Sequence, residues 1–580
     1  MTGFRAEWGG RAIADKSFLE VCLDPATPPE TKKTIEAIKR AVEKDDCREA
    51  AQALASATTL ALRGQQIVDL TPLISATSLR ELDLVQNPIG NFSPLARLTT
   101  LEKLKLDQTG LTDLTPLSGL QQLRELEVAI NDVATAEPLR ALVELRRLDL
   151  TTNHVSDLSP LAGLTRLEWL GLRENPVDNF EPLASLTALT FLVLDATGIR
   201  DLSPLGALTA LELLSLQGNG LQAVEPLRSL VNLRFLHLQS NRINDLSPLT
   251  SMTKLELLNA NANRIASVAP LSQLIALREV HLDDNEIADA SPLGSCIHLE
   301  ALALNRNRVW SLAGLEALGE LRGLEFVSNA VRDLRPLTTL KALKELGFAD
   351  NRVADLSPLR GLTRLQTLSF DENRVRDLRP LQELVELTSL TCTGNRIVFV
   401  PDLSRLTKLA RLNADDNRII QVAGLAGLAA LESLRLSANR IEDLGGLRGL
   451  SQLADLDLSR NIVENLTSLV PLMKLAQLWL DENRIADLAP LAGLTELLEL
   501  RVGDNRITDT SPLAGLTKLQ SLELSINRIT DVSPLATLAT LTFLGLDGNP
   551  IADGTVPKTE ANCPTSPTTP EVLRAFCTTS

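Results

Sequence analysis

The chain has 580 residues, a formal net charge of −16 and 44% apolar residues. That is enough apolar surface for a large core and the wrong sign for a nucleic-acid binder. It holds no run of 18 or more apolar residues, so no transmembrane helix is expected. The opening Met1–Gly10 lacks the apolar stretch of a signal peptide, and tyrosine is absent, which leaves Trp and Phe as the aromatic interface residues.

Residues 1 to about 16 are expected to be disordered or a remnant of expression. Residues 1–56 form an N-terminal cap. Thr27-Pro-Pro-Glu30 matches a capping box with Pro at the first helical position. The spacing predicts a helix from there to about Lys44, with Ile35, Ile38 and Val42 as its apolar stripe. Asp46 is placed to start a second helix through Cys47, Ala50, Ala51 and Leu54.

Residues 57–552 repeat one 22-residue pattern, clearest from Leu365 to Leu384: Leu-x-x-Leu-x-Leu-x-x-Asn-x-Ile-x-Asp-Leu-x-Pro-Leu-x-x-Leu-x-x. With Asn at position 9, stepping by 22 from Asn87 to Asn549 visits 22 sites. Twenty hold Asn and the others are Thr109 and Thr197. A weaker first copy puts Gln65 in this slot. An unbroken period of this length means a solenoid, with each turn stacked on the last. Positions 3 to 7 are expected to form a short strand, with 4 and 6 inward and 3, 5, 7 and 8 on the exposed face. Asn at position 9 would satisfy backbone groups left open by the bend. The Asp-Leu-Ser-Pro-Leu phrase would open a 3₁₀ turn on the opposite side, with Ser as its cap and Pro at its first position.

The Leu-x-x-Leu-x-Leu-x-x-Asn pattern is the leucine-rich repeat. Its 22-residue length and phrases such as Asp157-Leu-Ser-Pro-Leu-Ala-Gly-Leu164 resemble the repeats of bacterial internalins over about 500 of the 580 residues. The resemblance implies an α/β solenoid. This would be a curved right-handed superhelix with a parallel sheet on the concave face, 3₁₀ turns on the convex face and a helical N-terminal cap. It further implies a protein-binding concave groove on an adhesion or cell-surface protein. No immunoglobulin-like segment or cell-wall sorting motif follows the repeats, so no particular receptor is implied. The 22-residue repeats also resemble those of phosphatase-regulating subunits, which leaves an intracellular scaffold open, and a structural surface-layer protein is a third reading.

Residues 553–580, rich in Pro and Thr, are expected to be the C-terminal cap. Of six cysteines, Cys296 and Cys392 fall in apolar slots of the repeat and read as buried core residues. Cys22 with Cys47, and Cys563 with Cys577, lie where the solenoid must be sealed. They read as one disulfide per cap, which requires an oxidising compartment. Extracellular or cell-surface placement follows from that pairing, and reduced pairs would mean a cytoplasmic protein. A four-Cys zinc site is excluded because 23 turns at about 4.8 Å separate the caps by roughly 105 Å.

Position 3 is charged or polar in most turns, as at Glu81, Lys103 and Glu279. In five consecutive turns it is apolar: Trp169, Phe191, Leu213, Phe235 and Leu257. The fold does not require this, and a contiguous exposed apolar row marks a binding surface or a self-packed ladder. Val193, Ser215, His237, Asn259 and His281 at position 5 would flank it. His237 and His281 lie two strands apart, too far to share one metal. Acids at positions 7 and 8 (Asp283-Asp284, Asp371-Glu372, Asp415-Asp416, Asp481-Glu482) and arginines at position 10 from Arg242 to Arg528 suggest a solvated salt-bridge lattice. The alternative is an acidic wall for a basic partner or Ca²⁺. Trp479, Phe543, Trp310 and Phe399 are isolated aromatics. No catalytic motif stands out. The chain is therefore read as non-enzymatic, without cofactor or metal, acting as a monomer on a protein partner.

Overall fold

The computed structural model describes residues 16–551. The expectations for residues 1–15 and for a Cys563–Cys577 bridge lie outside the described residues. The chain forms two compact units, Met1–His281 and Leu282–Ser580. The first holds helices α1 (Phe18–Leu23), α2 (Pro29–Ala41) and α3 (Cys47–Ser56), then strands β1 (Thr59–Ala61) through β11 (Glu279–His281). The second holds β12 (Ala301–Ala303) through β23 (Phe543–Gly545). Within each unit, successive strands pair in parallel with a register of 22 residues, as in Leu82 with Leu104 and Leu456 with Leu478.

The apolar slots fill as the pattern predicts. In one turn Leu101, Leu104, Leu106, Leu111, Leu114, Leu117 and Leu120 are all 0% exposed. Cys296 and Cys392 are buried free thiols in two such slots. Phe326, Phe348 and Phe370 occupy position 6 in consecutive turns and stack at 5.5 and 5.6 Å between ring centroids.

The Asn side chains lock one turn to the next. Asn87 donates from Nδ2 to the carbonyls of Leu84 at 2.8 Å and of Leu62, in the preceding turn, at 2.9 Å. Its Oδ1 accepts the Ile67 N–H at 2.9 Å. The same three bonds recur down both units, for example at Asn373. Thr109 and Thr197 keep only the bond within their own turn, through Oγ1 to Leu106 at 2.7 Å and to Leu194 at 2.8 Å. The orphaned N–H groups of Ile89 and Val177 then turn to the nearby carbonyls of Asn87 and Asn175.

Three local expectations need correction. The strands span only positions 3 to 5, although interstrand bonds continue beyond them, as from Leu106 N–H to the Glu127 carbonyl at 2.7 Å. The strand stops because position 8 is left-handed. This holds at Gly64, Gly218, Gly394 and Gly548 and also at residues such as Ile130 (φ 55°) and Ile526 (φ 55°). Ser does not cap the 3₁₀ turns. Asp157 Oδ1 accepts the Ser159 N–H at 2.8 Å, so the position-13 Asp makes the cap and Ser is already inside the turn. Thr27 does not cap α2 either. Its hydroxyl donates to the Val21 carbonyl at 2.6 Å, Pro28 takes the N-cap position, and the helix ends at Ala41.

The cap contains a helix the repeat pattern did not suggest, α1, with a capping box between Ser17 and Glu20. Asp46 caps α3 as expected. The Cys22–Cys47 disulfide joins α1 to α3. Phe18, Ile38 and Leu54 are 0% exposed beneath the helices. The Thr34 hydroxyl ties α2 to the Asp69 carbonyl of the first turn at 2.7 Å.

The left-handed bend predicts opposite effects at equivalent sites. Ile130→Gly should stabilise the first unit by roughly 0.5–1 kcal/mol, because a β-branched residue is strained there. Gly218→Ala, where a new Cβ would meet nothing within 4 Å, should destabilise by about 1 kcal/mol. Urea unfolding of both variants checks the signs, and shifts in the same direction would refute the role of the bend.

Candidate recognition face

The five apolar position-3 residues are brought together. Trp169 pairs in register with Phe191, Phe191 with Leu213, Leu213 with Phe235 and Phe235 with Leu257, after which Glu279 ends the row. All five sit on the open face of the first unit and all are half-buried. Part of that burial is internal. The Trp169 ring lies back over Gly171, where an added Cβ would come within 2.6 Å of it. The Arg147 guanidinium stacks on the same ring at 3.7 Å and is held from behind by Glu127 at 3.1 Å. Arg234 lies 5.2 Å from the Phe235 ring and pairs with Glu256 at 2.8 Å. The row is therefore pre-positioned, with cations fixed against two of its aromatics.

Beside it runs the position-5 row. Val193, His237, Asn259 and His281 are half-buried and Ser215 is buried. Ser215 Oγ donates to Asp195 Oδ1 at 2.5 Å, and the Gln217 N–H reaches the same oxygen at 2.8 Å. Asp195, only 9% exposed, is a polar anchor that sequence reasoning missed. Its position-7 slot is acidic in many turns, and nothing in the pattern marks it as buried. Burial lowers the His237 pKa, against the opposing charge of Asp195, so the ring favours its neutral form. Gln239 donates to Gln217 Oε1 at 2.9 Å, while its own buried Oε1 has no hydrogen-bond partner among the described residues. His281 lies 3.9 Å from Glu279, and the described residues contain no group of three or more side chains able to hold a metal.

In the second unit the position-10 arginines pair with acids outside positions 7 and 8, Arg308 with Glu286 at 3.1 Å and Arg484 with Glu464 at 3.9 Å, while Asp481 and Glu482 pair with Arg501 and Arg460 from other slots. Further pairing within this unit runs through other slots again, as in Arg322–Glu300 at 2.6 Å and Lys408–Glu386 at 2.6 Å. Asp415 is the most perturbed acid on this face. Burial, with the charges of Asp457 and Asp371, pushes its pKa up to about 6, against the Ser437 N–H and Arg435. Trp310 is 66% exposed, Phe399 43% and Phe543 49%, each as a separate projection.

A sequence model for leucine-rich repeats (two copies) matches residues 209–251, 231–273 and 341–383. The fold is that of a leucine-rich repeat solenoid. A leucine-rich repeat protein of Leptospira interrogans is similar in fold, with 23% identity and a TM-score of 0.57 over 70% of this chain and 99% of that one. The plant peptide hormone receptor RGFR1, solved in complex with RGF2, aligns over 85% of this chain and 90% of its own, with 20% identity and a TM-score of 0.66. An internalin (inlF) from Listeria monocytogenes is 29% identical over 57% of this chain and 86% of its own, with a TM-score of 0.42. No curated protein matches the sequence.

The shift at Asp415 has a definite sign. Its folded pKa lies above the ordinary 3.8, so the native state binds more protons between pH 3.8 and about 6. The resulting cost is fully present above pH 6 and is relieved as the pH falls through that range. Asp415→Asn should therefore stabilise the second unit by about 1 kcal/mol at pH 7.5 and by much less at pH 4, after allowance for partial solvation. Urea midpoints at the two pH values test this, and a gain independent of pH would contradict it.

Proposed function

We propose that this protein is a non-enzymatic recognition module that binds a protein partner on the open face of its first unit. One observation carries the reading: five adjacent strands present Trp169, Phe191, Leu213, Phe235 and Leu257 in a single registered row, in a slot that the fold leaves free to be polar. The row extends about 19 Å. Aromatic residues held rigidly beside polar groups make good anchors, because little side-chain entropy remains to be lost on binding. His237, Asn259 and His281 supply adaptable polar contacts along its edge. The disulfide between Cys22 and Cys47 supports export to an oxidising compartment, where the partner would be another surface or secreted protein.

The test is capture of partners from native cells by three proteins. They are the wild type, the Trp169→Ala/Phe191→Ala/Phe235→Ala variant and a control, Lys103→Ala/Glu125→Ala, altered in the same slot outside the row. Wild type and control should retain a common partner that the aromatic variant binds at least about tenfold more weakly. Equal retention by all three would make the row a self-packed ladder. Free thiols at Cys22 and Cys47 in intact native cells would overturn export while leaving the binding face untouched.

A further inference from the structure

The second unit carries a different kind of site. β19 (Asp455–Asp457), β20 (Gln477–Trp479) and β21 (Glu499–Arg501) pair in register, so that Asp457, Trp479 and Arg501 form one row across the sheet. Over this row lies a cavity of about 330 Å³ lined by Asp457, Trp479, Asp481, Glu482, Glu499 and two arginines, with Ser437 and Ser459 at its side. The volume is near the lower limit for a small-molecule site and suits a single inserted side chain.

Its charges are not balanced. Arg501 pairs with Asp481 at 2.8 Å and Arg460 with Glu482 at 2.9 Å. Asp457 and Glu499 have no Lys or Arg within 4.0 Å among the described residues. Asp457 accepts only the Ser459 N–H at 2.9 Å, and Glu499 a weak 3.3 Å bond from Gln477. These two half-buried carboxylates stand on either side of Trp479, on strands about 9.6 Å apart. The ring between them already accepts a guanidinium, since Arg435 lies over it at 4.9 Å. Its indole Nε1, and Asp455 Oδ1 on the neighbouring β19, are buried without hydrogen-bond partners among the described residues, so the local polar network is incomplete.

We propose that this cavity is a second recognition site, which takes an arginine or lysine side chain presented by a protein partner. The cation enters between Asp457 and Glu499, with its stem against Trp479. Charge complementarity selects this occupant. An acidic side chain would meet four carboxylates, two of them unpaired, and an apolar one would bury Asp457 and Glu499 without compensation. An arginine gains bidentate bonds to a carboxylate and stacking on the ring. The site is independent of the aromatic row in the first unit.

The test uses the full chain with its tryptophans ¹⁵N-labelled, the Trp479 indole signal being assigned by its loss in Trp479→Phe. The probes are N-acetyl-arginine amide and its neutral isostere, N-acetyl-citrulline amide. The arginine probe should shift the Trp479 signal saturably, with a Kd of about 1 mM or a few times that, and leave Trp169 and Trp310 unmoved. The citrulline probe should not reproduce the shift. Asp457→Asn/Glu499→Gln should weaken arginine binding at least about tenfold, while neutralising Glu345 and Glu279, exposed acids elsewhere on the open faces, should not. No saturable shift with arginine, an equal shift with citrulline, or unchanged affinity in the double variant would each overturn the assignment.

Discussion

The structure depends on one hydrogen-bonded side chain repeated once per turn. At position 9 the Asn side chain bonds backbone carbonyls of its own turn and reaches one carbonyl and one N–H of the preceding turn, as at Asn87 and Asn373. Without it, the bend after each strand would bury unpaired backbone groups at a cost of about 1–3 kcal/mol each. With it, the register is fixed at 22 residues and every position-3 residue stands beside the next. The rows on the open face exist because of this constraint. The two Thr sites show its limits. The Thr197 side chain does not reach the preceding turn, and the Val177 N–H there falls back on a local carbonyl.

Once register is fixed, the open face is free to vary, because positions 3 and 5 contribute little to the core. The two units use that freedom differently. The first builds an apolar row with cations stacked against it, Arg147 on Trp169 and Arg234 on Phe235. The second builds alternating charge around Trp479. Both are assembled from side chains whose backbone is held by the same ladder, so their geometry does not need a partner to form. Pre-organisation of this kind lowers the entropic cost of binding.

Much of this was legible in the sequence. The seven apolar slots, the Asn positions, the two buried thiols and the Cys22–Cys47 pair follow from period and composition, because the core is set by which slots face inward. What was not legible depends on local competition between hydrogen-bond partners or on the reach of long side chains. Asp157 accepts the backbone N–H of Ser159 and so places Ser159 inside the turn it was expected to cap, and Thr27 bonds Val21 instead of starting α2. The left-handed bend falls at Ile130 and Ile526 as well as at glycines, since the ladder imposes it whatever residue stands there. For the face, the row itself was visible, but the fold of Trp169 onto Gly171 was not. That contact depends on side-chain direction, which spacing alone does not give. Asp195 also escaped, because its burial is created by Ser215 and Gln217 from the next turn.

The central claim is that the apolar row of the first unit meets a protein partner. Photo-crosslinking from the row in intact native cells tests it most directly, with benzoylphenylalanine placed at position 191 in one protein and at position 345, the same slot in the second unit, in another. A discrete adduct of higher mass from position 191, absent from position 345, is the predicted result. No adduct from position 191, or the same adduct from both positions, would contradict the account.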